Sequence, residues 1–483
     1  MSKKKNSFLS HFLMIGTGTI LNMLIGLLTT PIITRVVGED VYGQFSIFTM
    51  YVGIAEMILC MGLDQGIIRF YHEQDSIQYR RKLIRASCFI PIIATILTTL
   101  LAAVLSYCNI VQFEFDTIVI FLLGVCTLVQ IMNRLNMVQL RSAYKTKDYS
   151  VIRVTHRLVY LIFVLIFISG LNKDHFLSMI VATIISYIVV TIYGVYVQRS
   201  EWKFWRIGDS KNFDYKRLYL YSAPYIISMG VTTIFQAIDK MSLNYYCSYS
   251  EVGVYASANN IVNIFSIIQS TFNALWAPIV IEHYLKDPGD KSLYKKGNQL
   301  ITVIMFFIGA TLILGKDIFV LLLGESYRSA AYIIPFLIFY PIMYTISETT
   351  VIGIVFYRKS NMQIVVAVIS CITNIVGNMI LVPKLGGRGA AISTGLSYIV
   401  FFLARTLISN HYYYINWNLK NFFTLTIIMI GYAYYNTFYD NVFVNVIWYC
   451  LIIIVIYILY KDAIMEGIRL GKKQMEDLIS KRS

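Results

Sequence analysis

The sequence predicts an all-α integral membrane protein with about 14 transmembrane helices. Of its 483 residues, 57% are hydrophobic and 14% are charged, whereas soluble proteins are roughly 45–50% apolar and about 25% charged. Apolar runs of about 20 residues, the length that crosses a bilayer, recur along the whole chain. The polar stretches between these runs are short, so little sequence remains for a separate soluble domain.

The predicted spans start near the N-terminus and continue almost to the C-terminus. Their approximate limits are 12–34, 44–68, 86–106, 117–137, 154–171, 176–197, 218–240, 252–281, 298–315, 331–357, 362–382, 389–404, 421–438 and 442–460. The start MSKKKNSFLS has the basic flank of a signal peptide, but no small-residue cleavage site follows, so we interpret the first run as an uncleaved span. The seven cysteines lie in or beside apolar runs without close pairing, which indicates neither a disulfide framework nor a metal site.

The net charge of +15 is explained by orientation in a membrane rather than by nucleic-acid binding. With a cytoplasmic N-terminus, the connections on that side carry 32 Lys and Arg residues, and those on the outer side carry 6. Such an excess of basic residues is typical of cytoplasmic loops. We therefore expect a multi-pass protein with both termini in the cytoplasm and no nucleic-acid partner.

A polar stretch at 198–217 follows the sixth span and indicates a linker between two halves. The turns EDVYGQFS (39–46) and EVGVYAS (251–257) favour an internal repeat of the kind found in transporters, although short Gly-x-aromatic turns are also common by chance. The tail suits either an amphipathic helix on the inner leaflet or a solvated charged segment. The predicted domains are an N-terminal six-helix bundle (1–200), a cytoplasmic linker (201–217), a C-terminal six-helix bundle (218–410), two additional helices (411–460) and a cytoplasmic amphipathic tail (461–483).

The sequence lacks the motifs of common enzyme and cofactor sites. It contains no GxxxxGK[ST] phosphate loop, HExxH or CxxC, which argues against ATP hydrolysis and against a zinc site. The longest outer connection, 315–330, is short and largely apolar, so a folded external catalytic domain is not expected. We therefore predict no catalytic residues, no cofactor and no bound metal.

Ionisable residues at membrane depth are the candidate functional groups. A charge at the bilayer centre costs at least about 2.5–3.5 kcal/mol, so such a group usually faces a bundle interior or a water cavity. Four arginines lie at similar depth near the cytoplasmic side: Arg69, Arg134, Arg153 and Arg157. One interpretation is a basic vestibule in which Asp64 positions Arg69 and the other arginines receive an anion, because a guanidinium can make two parallel hydrogen bonds to phosphate. The alternative is a local Asp64–Arg69 ion pair, with the other arginines reaching lipid headgroups.

Carboxylates also lie within the predicted spans. Glu56 is in the middle of the second span and Glu348 is within the tenth. A carboxylic acid in apolar surroundings can exchange a proton near neutrality, so both are candidate proton-coupling groups; alternatively, each is a neutral acid hydrogen-bonded to a neighbouring helix. Asp239 and Lys240 end the seventh span near the outer side.

The segment GLDQGIIRFY (62–71) resembles the Gly-Leu-Asp-x-x-x-x-Arg-Phe-Tyr segment of bacterial polysaccharide flippases. These are the Wzx-type proteins of the multidrug/oligosaccharidyl-lipid/polysaccharide (MOP) exporter superfamily. The spacing Gly62-xxx-Gly66 is in addition typical of close helix packing. Three further stretches resemble the same family, in the family's order along nearly the whole chain. They are TPIITRVVGEDVYGQFSIF (30–48), AIDKMSLNYYCSYSEVGVYASANN (237–260) and VPKLGGRGAAISTGLSY (382–398).

This resemblance implies a MATE-like fold of two pseudo-symmetric six-helix bundles around a central cavity, plus two C-terminal helices, in the bacterial cytoplasmic (inner) membrane. It implies transfer of a lipid-linked oligosaccharide on undecaprenyl pyrophosphate to the outer leaflet, with membrane lipid, a polysaccharide polymerase and other assembly proteins as partners. Where the family commonly has Asp-Arg, this chain has Asp239-Lys240, which puts a bidentate contact there in doubt. The expected pyrophosphate-binding residues are Arg69, Arg134, Arg153, Arg157 and Lys240, and the expected orienting or coupling residues are Asp64, Glu56, Asp239 and Glu348.

Two other functions compete with this interpretation. A drug or cation antiporter of the same superfamily would favour acidic groups over basic ones in the cavity. A membrane-embedded glycan polymerase or ligase would be an enzyme, and the missing external domain argues against it.

Overall fold

The computed structural model describes residues 25–26, 28–171, 174–204 and 213–480. Within these residues the chain forms helices and turns and no β-strand, which confirms the all-α prediction. Ten helices of the described part are long and apolar enough to cross a membrane, or up to 12 when each of two bent helix pairs counts as one span. The protein is thus a multi-pass membrane protein. The total of 14 spans stays a prediction, because most of 12–34 lies outside the described residues.

The chain divides into two compact units, residues 1–240 and 241–483. The bundle boundaries 1–200 and 218–410 stay a prediction, and residues 205–212 of the predicted linker lie outside the described part. In the first unit residues 28–36 are helical, and a π-helical turn, Phe167–Leu171, extends the fifth helix named below. The helices that follow are α1 Glu39–Leu59, α2 Leu63–Phe70, α3 Ile77–Tyr107, α4 Thr117–Ser142, α5 Thr146–Ile166, α6 His175–Val197 and α7 Tyr215–Tyr246, the last of which continues into the second unit.

The end of the first unit that the charge distribution predicts to be cytoplasmic contains an apolar core and a polar network. Its core residues come from α2, α3, α4, the segment after α6 and the start of α7, and include Leu63, Ile67, Phe70, Leu83, Ile84, Ile131, Leu135, Trp202 and Leu218. The Tyr71 hydroxyl donates to both Glu201 oxygens (2.9 and 3.1 Å), and Gln139 Nε2 donates to Glu201 Oε2 at 2.5 Å. Burial raises the pKa of the Tyr71 phenol, and the Glu201 carboxylate raises it further, so Tyr71 stays a proton donor. The network fastens the segment after α6 to α2 and α4.

The second unit contains eleven labelled helices and two 3₁₀ segments among its described residues. The 3₁₀ segments are Asn263–Phe265 and Glu325–Tyr332. The helices are α8 Tyr249–Val262, α9 Ser266–Lys286, α10 Ser292–Leu314, α11 Lys316–Leu321, α12 Ile334–Leu337, α13 Phe339–Thr350, α14 Ile352–Phe356, α15 Asn361–Leu385, α16 Gly387–Tyr412, α17 Leu419–Phe438 and α18 Val442–Ser480.

Packing in the second unit centres on α16, which contacts α15 along its length and also packs on α13. The turn between α15 and α16 is a single residue, Gly386, with φ of 55°, a conformation that glycine adopts without steric cost. Within α18 the backbone leaves helical geometry at Tyr460. The helix then continues to Ser480, but most of the side chains that would decide the predicted amphipathic face of 461–483 lie outside the described ones.

In the second unit, two predicted spans differ from the structure. The predicted span 331–357 is divided, and its two main parts, Glu325–Tyr332 and Ile334–Thr350, are bent by 51°. Pro335 lies in the first turn of the second part, where a proline is tolerated because it lacks the N–H that a continuing helix would need. The predicted span 389–404 is too short, since α16 runs to Tyr412 and includes Arg405.

Candidate functional site

The candidate site of the first unit begins at a break in the second predicted span. Helix α1 ends at Leu59, α2 begins at Leu63, and the two are bent by 51°. Met61 and Gly62 between them have positive φ values of 52° and 67°. A Cβ on Gly62 would lie 2.4 Å from the Ser222 carbonyl oxygen of α7, so both the turn and the close approach require glycine.

Gly66 makes the same kind of approach one turn later in α2. A Cβ there would lie 2.6 Å from both Leu218 Cδ1 and Ser222 Oγ. The Gly62-xxx-Gly66 spacing is therefore confirmed as helix packing, with α7 as the partner helix. This packing seats the short helix α2 against α7 and fixes the position of Asp64, which lies in its first turn.

Asp64 is paired with Arg134 of α4. Arg134 donates from Nε (3.1 Å) and from Nη2 (2.9 Å) to Asp64 Oδ2, and Gln65 Nε2 donates to the same oxygen at 3.0 Å. Arg134 Nη1 extends to Glu56 Oε1 of α1 at 3.4 Å. One guanidinium thus joins α1, α2 and α4, and we call Glu56, Asp64 and Arg134 the acid–arginine cluster.

The three side chains of the acid–arginine cluster differ in exposure. The Asp64 side chain is 4% exposed, whereas those of Arg134 and Glu56 are 27% and 18% exposed. Because a charged group at membrane depth avoids acyl chains, the open part of the cluster is best suited to water or a polar ligand. With both carboxylates ionised, the cluster carries one more negative than positive charge.

The structure corrects the predicted Asp64–Arg69 contact. The two residues are five positions apart on α2, which places them about 140° apart around a helix. Asp64 is buried and engages Arg134, whereas Arg69 is exposed and lies over the Phe70 ring at 5.5 Å. The residue that Asp64 positions is therefore Arg134.

The other predicted residues of the first unit lie on α5 and α7. Arg157 is exposed on α5, and its guanidinium carbon lies 3.8 Å from the position that a Cβ on Gly26 would occupy. Arg153, one turn earlier on α5, lies over the Tyr149 ring at 5.9 Å. Near the end of α7, Asp239 is buried and Lys240 is half-buried. That Arg153, Arg157 and Lys240 share a site with the acid–arginine cluster stays a prediction.

Glu348 of the second unit has an arginine partner that the sequence did not indicate. Arg405 Nη1 donates to Glu348 Oε1 and to Ser347 Oγ, both at 2.7 Å, and Nη2 donates to Gln363 Oε1 at 3.3 Å. The Arg405 side chain is 5% exposed and that of Glu348 is 17% exposed. The predicted span 389–404 ends just before Arg405 and so would place this charge in a cytoplasmic connection. The apolar and uncharged residues that follow Arg405 are the signal in the sequence that the helix continues.

Two of the stretches that resemble the flippase family meet in the second unit. Glu251, in the first turn of α8, accepts a hydrogen bond at 2.8 Å from the backbone N–H of Gly387, the first residue of α16. A carboxylate suits this place because the first N–H groups of a helix have no partner within it. The contact joins the acidic residue of stretch 237–260 to the glycine turn of stretch 382–398.

The fold and these clusters define a helical membrane protein with ionisable groups enclosed at membrane depth, the class to which transporters belong. In the described part of the chain, no group of three or more His, Cys, Asp or Glu residues is arranged to hold a metal ion. The chain belongs to the polysaccharide biosynthesis protein family, whose model matches residues 8–283. No curated protein sequence matches the chain.

Solved structures of MOP-superfamily transporters share the fold. The lipid II flippase MurJ, in an inward closed conformation, has a TM-score of 0.68 at 14% identity, with 97% of this chain and 100% of that chain covered. A multidrug resistance MATE family transporter of the MOP superfamily has TM-scores of 0.57 (inward-facing) and 0.55 (outward-facing) at 14% and 15% identity. These two matches cover 82% and 83% of this chain and 94% and 95% of that one. The sequence resemblance is therefore confirmed at the level of family and fold.

Proposed function

We propose that this protein moves lipid-linked oligosaccharide repeat units from the cytoplasmic to the outer leaflet for surface polysaccharide biosynthesis. The observation that carries the proposal is the Arg134 guanidinium, held at membrane depth by Asp64 and still 27% exposed, in a chain of the polysaccharide biosynthesis family. The fold shared with a lipid II flippase adds support, since that protein is named for a lipid-linked substrate.

The physical task explains why a cation is needed. The headgroup of an undecaprenyl pyrophosphate-linked oligosaccharide cannot cross hydrocarbon, because its charges and hydroxyls would lose hydration without replacement. A guanidinium replaces part of that hydration with directed hydrogen bonds to phosphate oxygens. The isoprenoid tail can stay in the bilayer while the headgroup is shielded.

In the proposed mechanism, Asp64 positions Arg134, and Arg134 with Arg157 captures the pyrophosphate. Arg69, Arg153 and Lys240 complete the basic group that we predict from the sequence. Alternating access, by movement of the two halves of the chain, then releases the headgroup outside. The protein would act in the bacterial cytoplasmic membrane with both termini inside, and it would deliver its product to a polysaccharide polymerase.

The test is complementation of a deletion strain with wild type, Arg157→Ala, and the Arg134→Ala, Arg157→Ala double variant. Surface glycan and intracellular lipid-linked oligosaccharide are both measured, and membrane levels of each variant are matched. Arg328→Ala is the control, because Arg328 is an exposed arginine paired with exposed Glu325. We expect the deletion and the double variant to lose surface glycan and accumulate the precursor, with Arg328→Ala behaving as wild type. Normal export by the double variant would contradict the proposed role of the arginines.

A cation- or proton-coupled drug antiporter is the second candidate function. The observation that favours it is the excess of carboxylate over guanidinium in the acid–arginine cluster. In that case deletion would leave surface glycan unchanged and raise the accumulation of a cationic dye such as ethidium. Glu56→Gln would then reproduce the dye phenotype of the deletion.

A further inference from the structure

A half-open stripe runs along α13 of the second unit. Tyr340, Tyr344 and Glu348 recur every four positions, so they lie on one face of the helix. These three residues are half-buried, and all other residues of α13 are buried. The helix therefore presents two tyrosines and a carboxylate at its open face.

Helix α16 adds side chains beside this face. The Tyr340 and Tyr398 rings are 4.7 Å apart, and the Tyr344 and Phe401 rings are stacked at 5.6 Å with an interplanar angle of 14°. Arg405 lies next along this row. Its guanidinium carbon is 5.7 Å from the Tyr344 ring centre, and its Nη1 donates a hydrogen bond to Glu348 Oε1. We call this row the aromatic stripe, with aromatic rings at one end and Glu348 and Arg405 at the other.

The composition of the aromatic stripe separates it from lipid-facing surface of the same unit. In the middle of α15 the exposed side chains are aliphatic, for example Val365, Val368, Ile369 and Ile372. An open face with a carboxylate at membrane depth would be costly against acyl chains. The aromatic stripe is therefore suited to a ligand that has both apolar and hydrogen-bonding surface.

We infer that the aromatic stripe is a carbohydrate subsite that contacts a sugar ring of the transported headgroup, an inference that rests on the proposed function. A pyranose has apolar C–H faces, which pack on aromatic rings, and a rim of hydroxyls, which bond to carboxylate and amide groups. Tyr344 and Phe401 supply the rings. Glu348 and the exposed Gln363 supply the polar groups, and Arg405 is a positioning residue that holds both.

The experiment measures binding of two lipids to the purified full chain in nanodiscs. One probe is the lipid-linked oligosaccharide that accumulates in the deletion strain, and the other is sugar-free undecaprenyl pyrophosphate. Tyr344→Ala should weaken binding of the first probe about tenfold, the size of one lost aromatic contact, and leave the second unchanged. Tyr344→Phe should retain most of the affinity. The control is Phe307→Ala, which removes an aromatic ring exposed elsewhere in the unit.

Three outcomes would overturn the subsite: equal effects of Tyr344→Ala and Phe307→Ala, equal weakening of both probes by Tyr344→Ala, or full affinity of Tyr344→Ala for the oligosaccharide probe. Should Tyr344→Ala fail to give folded protein, Gln363→Ala replaces it with the same expected selectivity, because Gln363 is exposed. Failure of the proposed function gives a different result, since the deletion strain would then keep its surface glycan and accumulate no lipid-linked oligosaccharide, and wild type would not bind undecaprenyl pyrophosphate.

Discussion

Removing the Asp64 carboxylate should destabilise the first unit more than removing that of Glu56. Asp64 Oδ2 accepts three hydrogen bonds, two of them from Arg134, and its side chain is 4% exposed. Loss of one partner of a buried ion pair costs about 3–5 kcal/mol. Arg134 is partly exposed and keeps Glu56 as a partner, so we expect Asp64→Ala to lower the free energy of unfolding by about 2–3 kcal/mol, just below that range. Glu56→Ala removes one longer contact of a more exposed side chain and should cost roughly 0.5–1.5 kcal/mol.

The assay is thermal unfolding of purified protein in one detergent, arranged as two double-mutant cycles with Arg134→Met. The Asp64–Arg134 cycle should give a coupling energy of about 1.5–3 kcal/mol, and the Glu56–Arg134 cycle one below about 1 kcal/mol. A cycle removes the effects that each substitution has on its own, which isolates the pair. Equal coupling energies in the two cycles, or a larger one in the Glu56–Arg134 cycle, would refute the claim that Asp64 positions Arg134.

Three further predictions concern stability and use the same thermal assay. Gly62→Ala should lower the free energy of unfolding by at least about 2 kcal/mol, because the positive φ and the approach to the Ser222 carbonyl oxygen both oppose a Cβ. The control Gly53→Ala, which has open space around the new Cβ, should instead raise it by roughly 0.5–1 kcal/mol. Glu251→Ala should cost about 1–3 kcal/mol by leaving the Gly387 N–H without its acceptor, and a midpoint equal to wild type would show that this contact is dispensable. Arg405→Met should lower the free energy of unfolding by about 3–5 kcal/mol, because it leaves Glu348 unpaired. Adding Glu348→Gln should recover part of this loss, and no recovery would mean that the broken ion pair is not its cause.

The sequence predicts the helices of this protein well where the cause is local. Long apolar runs identify membrane helices without reference to tertiary structure, and the described helices coincide with those runs apart from their ends and the breaks within 44–68 and 331–357. The break at Gly62 has a tertiary cause, because the apolar pattern continues through it and the reason for the turn is the approach of α7. Ending a predicted span at Arg405 was wrong for a related reason: a charge can continue a membrane helix when the fold supplies a partner from another helix.

The candidate site was harder to predict than the helices, because its pairs join distant parts of the sequence. Asp64 and Arg134 are 70 positions apart, and Glu348 and Arg405 are 57 apart. Sequence spacing indicated Arg69 as the neighbour of Asp64, and helical geometry turns Arg69 away. Residue type and position within the predicted spans therefore indicate most of the charged residues of the candidate site. Which residues form ion pairs with one another depends on how the helices pack.

The two acid–arginine pairs differ in which partner is buried. In the first unit the carboxylate of Asp64 is buried and the Arg134 guanidinium is the more exposed partner, at 27%. In the second unit Arg405 is buried and the Glu348 carboxylate is the more exposed partner, at 17%, beside tyrosines. A buried partner fixes the exposed one, so the first unit offers an oriented cation and the second an oriented acceptor next to aromatic rings. Under the proposed function the oriented cation would serve pyrophosphate and the oriented acceptor would serve a sugar, so mutations in the two pairs should affect the two lipid probes differently.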